Sequence, residues 1–198
     1  MTDQSKVIHW INNKQSKKLA TVNIDNQTYD FWSPYTSKIA AAISNGLEIF
    51  PFFKQAKILY IDSNHDENLN HLVNMVGNDG KIYLEKIKFS LSSKTISQNL
   101  EDIGDMTKQK IDNVDIFYID SPNKNYYKII QKYEVFLKKN GFLILIANNE
   151  NIITDTSNND MLDFYHHLKS KYEILQQVFL DEFFKKQTLI IAQFIDKN

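Results

Sequence analysis

Cysteine is absent from the 198 residues, which excludes disulfides, iron–sulfur clusters, thiolate zinc sites and a cysteine nucleophile. Arginine is absent too. All 23 basic residues are lysines, so bidentate guanidinium contacts to phosphate or carboxylate are unavailable. No run approaches the ~20 apolar residues of a membrane span. The opening MTDQSKVIHWINNKQSKK lacks the apolar centre of a signal peptide, so a soluble, cytoplasmic protein with no membrane partner is expected. A surplus of positive charge is also missing. The net charge of −1 means that nucleic acid affinity cannot come from a global field.

What remains is ordinary for a globular fold: 42% hydrophobic and 24% charged residues. A chain this long buries roughly 70% of the surface its unfolded form exposes, and so needs no staples. No internal repeat or low-complexity linker divides it. Residues 1–30 read as a short N-terminal β segment with a strand at 19–24, and residues 31–198 as one α/β domain. Ser37 is a helix cap, and Ile39, Ile43, Leu47 and Phe50 recur at helical intervals, predicting a helix over 38–50 stopped by Pro51. Strands then alternate with helices: strands at 56–61, 81–87, 114–119 and 142–147, helices at 69–76, 90–100, 126–138 and 161–171. Two final strands, near 174–180 and 188–194, are close enough to pair antiparallel. The sum is a mostly parallel sheet with an antiparallel end and helices on both faces. Such sheets bind ligands at the C-terminal ends of their strands, which directs attention to 62–68, 85–88, 104–108, 120–123 and 148–151.

The segment YDFWSPYTSKIAAAISNGLEIFP, residues 29–51, resembles fibrillarin, a family of 2′-O-methyltransferases of box C/D RNA–protein particles. The likeness lies in its Tyr-x-x-Trp-x-Pro-x-x-Ser-Lys-x-Ala-Ala-Ala spacing, and extends through KILYID, VDIFYID and FLKKNGF over about residues 20–195. The resemblance implies a methyltransferase-like (Rossmann-like) fold that binds S-adenosylmethionine through a small-residue loop after the first parallel strand. Here that loop reads Asp62-Ser63-Asn64-His65-Asp66-Glu67-Asn68. Asp62 and Asp66 stand at glycine positions, and Glu67 and Asn68 at threonine positions. Glycine lets backbone approach a ligand closely; carboxylates there repel a ligand carboxylate by several kcal/mol at an intermediate dielectric. Other positional matches for the cofactor are Glu85, one step from Lys86 and expected on the opposite face, and Asp105 and Met106.

The resemblance also implies a catalytic set of the type Lys, Asp, Lys, His. Lys38 and Asp120 match the first two, while the others fall on Asn148 and Gln187. Neither amide can accept a proton at physiological pH. The expectation is therefore a fibrillarin-like protein without methyl transfer or cofactor, with Lys38 and Asp120 surviving as an ion pair. The alternative is an active RNA 2′-O-methyltransferase with a rebuilt site, using S-adenosylmethionine. The family implies a Nop-family scaffold or an active fibrillarin paralogue as partner, with RNA contact possible through it.

Other groups read as surface or core. His65, Asp66 and His71 lack metal-site spacing, so no metal site is expected. His166 and His167 diverge on a helix and read as solvated. The aromatics Tyr29, Phe31, Trp32, Tyr35 and Phe50–Phe53 are too many for one buried helix. Part of that set is expected to form an apolar docking patch.

Overall fold

A computed structural model of the chain describes residues 8–12, 17–23, 25, 27–62, 67–85, 100–102, 112–121, 126–149 and 159–195. Its centre is a seven-stranded sheet in the order β6-β5-β4-β7-β8-β10-β9. The strands are β4 (Lys57–Asp62), β5 (Lys81–Glu85), β6 (Leu100–Asp102), β7 (Val114–Asp120), β8 (Leu137–Asn148), β9 (Tyr172–Phe179) and β10 (Gln187–Phe194). Strands β4 to β8 pair parallel, while β10 runs antiparallel to both β8 and β9. That is the expected parallel sheet with an antiparallel end. Because β9 therefore runs with β8, the β9–β10 turn lands at the C-terminal ends of the parallel strands.

Period-two alternation divides the core. Ile58, Tyr60, Ile116, Tyr118, Ile144, Ile146, Leu189 and Ile191 point to one face, with α1 (Lys38–Ser44) and α2 (Glu67–Val76). Leu59, Ile61, Phe117, Ile119, Leu143, Leu145 and Ile190 point to the other, with α3 (Tyr126–Tyr133) and α4 (Asn159–Lys171). Strands buried on both faces read as the continuous apolar runs that located them in the sequence.

The N-terminal residues form a three-stranded antiparallel sheet, β1 (Ile8–Asn12), β2 (Lys17–Val22) and β3 (Tyr29–Phe31). It shares the main core: Leu19 and Trp32 are buried with α1 and α2, and Trp32 stacks on His71 at 4.6 Å. His71 Nδ1 lies 2.7 Å from Thr21 Oγ1, so this histidine is a core group.

Two expectations are corrected. The helix foreseen at 38–50 ends at Ser44, because Asn45 and a left-handed Gly46 (φ +92°) turn the chain before Leu47–Phe50 extend. Leu47 and Phe50 still reach the core, which is why the helical spacing misled. The helix foreseen at 126–138 stops at Tyr133 and a 3-10 turn over Glu134–Phe136. Leu137 is then buried as the first residue of β8, opposite Val114. Of the aromatic set, Trp32, Phe50 and Phe52 are core, while Tyr29, Phe31 and Tyr35 are exposed, so part of the lead-in is at the surface. The helix foreseen at 90–100 lies outside the described residues, apart from Leu100 in β6.

Candidate functional site

The order of the sheet reverses between β4 and β7, and the expected residues converge at the C-terminal end of that pair. Ser37 caps α1: its Oγ accepts from Ala40 N–H at 3.1 Å and donates to Asn68 Oδ1 at 2.5 Å. That fixes the helix start over the strand ends, so Lys38 reaches Asp120 at the tip of β7. Lys38 Nζ lies 2.6 Å from Asp120 Oδ2 and 2.7 Å from Oδ1, with the side chains 13% and 9% exposed. The ammonium also sits 5.8 Å from the ring centre of Phe184, in the β9–β10 turn.

Asn148 and Gln187 complete the corner. They are direct partners across β8 and β10, and Asp120 lies beside Ile146, two residues short of Asn148. By alternation Asp120, Asn148 and Gln187 all take the α1 face. All four positions of the expected catalytic set thus gather at one end of the sheet, although Lys38 and Gln187 are 149 positions apart in sequence. Among the described residues Gln187 Oε1 lacks a hydrogen-bond partner here; Ser121 Oγ, on a residue only 3% exposed, lacks one too, but nothing places it on the α1 face. Serine 121 follows Asp120 directly, inside the 120–123 segment; a lone serine after a strand carries no signal of its own.

The cofactor matches fare differently. Asn68 is buried and committed to Ser37. Glu85 takes the face opposite Asp120, where Tyr133 OH donates to it and Lys132 Nζ approaches at 3.4 Å. Asp66, Asp105 and Met106 lie outside the described residues, as do the side chains of Asp62 and Glu67.

A second polar cluster lies under α4. Glu134 receives His167 Nε2 at 2.6 Å and Lys171 Nζ at 3.1 Å, with Tyr172 OH at 3.5 Å. His167 is therefore held against Glu134, whereas its neighbour His166 is exposed as expected. Burial, then the Glu134 charge, pushes the Tyr172 phenol above its ordinary range. Among the described residues no group of three or more His, Asp or Glu side chains has metal-holding geometry. No helix there is long and apolar enough to cross a membrane.

Strand order and the position of the site define an α/β protein of the S-adenosylmethionine-dependent methyltransferase fold class. The model of the Fibrillarin family matches residues 9–196, and the chain belongs to that family. The fibrillarin-like rRNA/tRNA 2′-O-methyltransferase of Pyrococcus abyssi is 26% identical over 92% of each chain. Its counterpart from Pyrobaculum aerophilum is 28% identical over 83% of this chain and 77% of its own. Among solved structures, the Methanococcus jannaschii fibrillarin pre-rRNA processing protein superposes with a TM-score of 0.73 at 19% identity over 100% of each chain. A chain from a fibrillarin/Nop5p complex also gives 0.73, at 18% identity over 96% of this chain and 98% of its own. Aeropyrum pernix fibrillarin, solved with natively bound S-adenosyl-L-methionine, gives 0.69 at 21% identity over 89% of each chain.

Proposed function

We propose that this chain serves RNA 2′-O-methylation as a docking component of a box C/D-type RNA–protein particle, and that it does not itself transfer a methyl group. Family membership and the fibrillarin/Nop5p relative support a Nop-family scaffold as its partner. The observation that carries the inactive reading is the pairing of Asn148 with Gln187 beside Lys38–Asp120. Attack by a ribose hydroxyl needs its proton removed as the bond forms. Two amides can orient that hydroxyl but cannot take the proton. The residues also fit S-adenosylmethionine poorly. Asn68 and Glu85 are committed within the protein, and Asp62, Asp66 and Glu67 bring carboxylates where small or hydroxyl residues suit the ligand.

One observation favours the second reading, an active RNA 2′-O-methyltransferase with a rebuilt site. Among the described residues Gln187 Oε1 is left without a partner on the sheet face of the intact, nearly buried Lys38–Asp120 pair, and Ser121 Oγ, on the next residue after Asp120, is left without one too. Each such buried group costs about 1–3 kcal/mol, which a ligand hydroxyl would recover.

Calorimetry and a methyl-transfer assay separate the two readings. The expected result is no binding of S-adenosylmethionine below millimolar concentration (roughly −4 kcal/mol). With scaffold, guide and labelled cofactor supplied, no methyl should enter the RNA. Asn148→Lys with Gln187→His should not restore transfer, because the acidic 62–68 loop remains. Micromolar affinity together with transfer by the unaltered chain would establish the enzyme instead.

A further inference from the structure

Asn-Gly occurs twice in the chain, at 45–46 and at 140–141. A glycine after asparagine leaves its nitrogen unshielded by a side chain. That nitrogen can attack the asparagine amide once the backbone turns to bring the two together. The fold treats the two pairs differently. Asn45 and Gly46 are held at both reacting groups: Asn45 Nδ2 donates to Phe179 O at 2.9 Å, and Gly46 N–H donates to Ile43 O at 3.3 Å. Asn140 ends the exposed run 138–140, and its side chain makes no hydrogen bond among the described residues. The ladder also breaks there. Strand β8 resumes pairing at Phe142, opposite Ile116 and Gln193, and residues 138–141 have no register partner in either neighbouring strand. Gln193 Nε2 donates to Asn140 O at 3.1 Å, an exposed bond that water can replace.

The bend itself demands this pair. Asn140 has a φ of +63°, a region that glycine and asparagine tolerate best. At 141 a Cβ would lie 2.8 Å from Lys138 O and 3.0 Å from Asp115 O, so glycine is required. We propose that Asn140 is a modification site, converted spontaneously through a succinimide to aspartate and isoaspartate, whereas Asn45 is protected by its contacts. Gly141 N attacks Asn140 Cγ. The N–Cγ bond forms, the Cγ–Nδ2 bond breaks, and the amide nitrogen leaves as ammonia with the Gly141 proton. Water then opens the ring. Addition at Cγ gives aspartate; addition at the main-chain carbonyl gives isoaspartate, with an extra carbon in the main chain. Either product sets a carboxylate beside Lys138 and Lys139. The isoaspartate also lengthens the chain just where β8, the strand that carries Asn148, rejoins its ladder.

The test is ageing of the full chain in mildly alkaline buffer, where the glycine nitrogen gives up its proton more readily. A protease that cuts after glutamate then separates Asn45, in residues 1–48, from Asn140, in residues 135–150. Mass spectrometry with electron-transfer fragmentation locates the acid and tells aspartate from isoaspartate. Asn140 should convert at least about 10-fold faster than Asn45 in the folded protein. In urea, with the fold removed, the two rates should come within about twofold of each other. Asn140→Gly, which accepts the same φ, should erase the signal from residues 135–150. Equal rates at the two sites in the folded protein would overturn the proposal. So would no conversion at Asn140, a gap that persists in urea, or a signal that survives Asn140→Gly. RNA, scaffold and cofactor take no part in the measurement, so its outcome stands apart from the proposed function.

Discussion

Lys38 and Asp120 are two charges mostly withdrawn from water, and each is tolerable only because of the other. Removing one partner leaves an uncompensated buried charge, so Lys38→Met should destabilise the protein by about 3 kcal/mol. Replacing both, Lys38→Met with Asp120→Leu, should cost much less than the sum of the single changes. Urea midpoints of the four proteins would measure that coupling. Tyr172 supplies a pH signature of a different kind. Its phenol is raised in the folded state, so its contribution is complete below the unfolded value near 10 and declines as pH rises above it. Wild type should lose stability between about pH 10 and 12 more steeply than Tyr172→Phe, as read by denaturant midpoints across that range. At this scale the sequence was legible where chemistry is carried by a motif. The resemblance to fibrillarin puts Lys38, Asp120, Asn148 and Gln187 in one set, and the fold brings these four positions to one end of the sheet. Ser121 and the Glu134–His167 pair were not legible in this way, since each depends on which distant segment folds alongside.

The elements that were misjudged share a cause. Leu47, Phe50 and Leu137 sit at helical spacing from their predecessors and are buried, yet none is helical. Burial periodicity records which residues face the core, and an extended segment lying on the same core satisfies it equally well. The missed stop signal was Asn45-Gly46, where φ of +92° favours glycine. Gly46→Ala should cost about 1 kcal/mol from backbone strain alone, because a Cβ there meets no atom within 4 Å. Ser37→Ala should cost about 2 kcal/mol, since it removes the cap of α1 and the bond to buried Asn68 together. Thermal melts of both variants would check these values. The Ser37 variant should in addition loosen Lys38, lowering its protection from amine-reactive reagents.

Over the whole molecule, the long apolar strands fixed the parallel sheet, whereas the three-stranded sheet was visible only as a β-rich opening. Its register places His9, Ile11, Lys18, Tyr29 and Phe31 on the side away from α2. Tyr29 and Phe31 are each 58% exposed there, so this is the part of the aromatic lead-in suited to protein docking. Tyr29→Asp with Phe31→Asp should abolish co-sedimentation with a Nop-family scaffold. Surface changes of this sort alter stability by about 0.5 kcal/mol or less each. Retained docking by this variant would move the interface elsewhere.

The antiparallel insertion of β10 between β8 and β9 has one more consequence. It carries the 181–186 turn to the mouth of the sheet while its two stems stay locked in the core. Doubling the length of such a turn adds only about 0.6 kcal/mol of closure entropy. Residues could therefore be gained, lost or exchanged there at little expense to folding, and each change would reshape what the mouth accepts. This turn is therefore where a designer's library could give the same scaffold a new ligand.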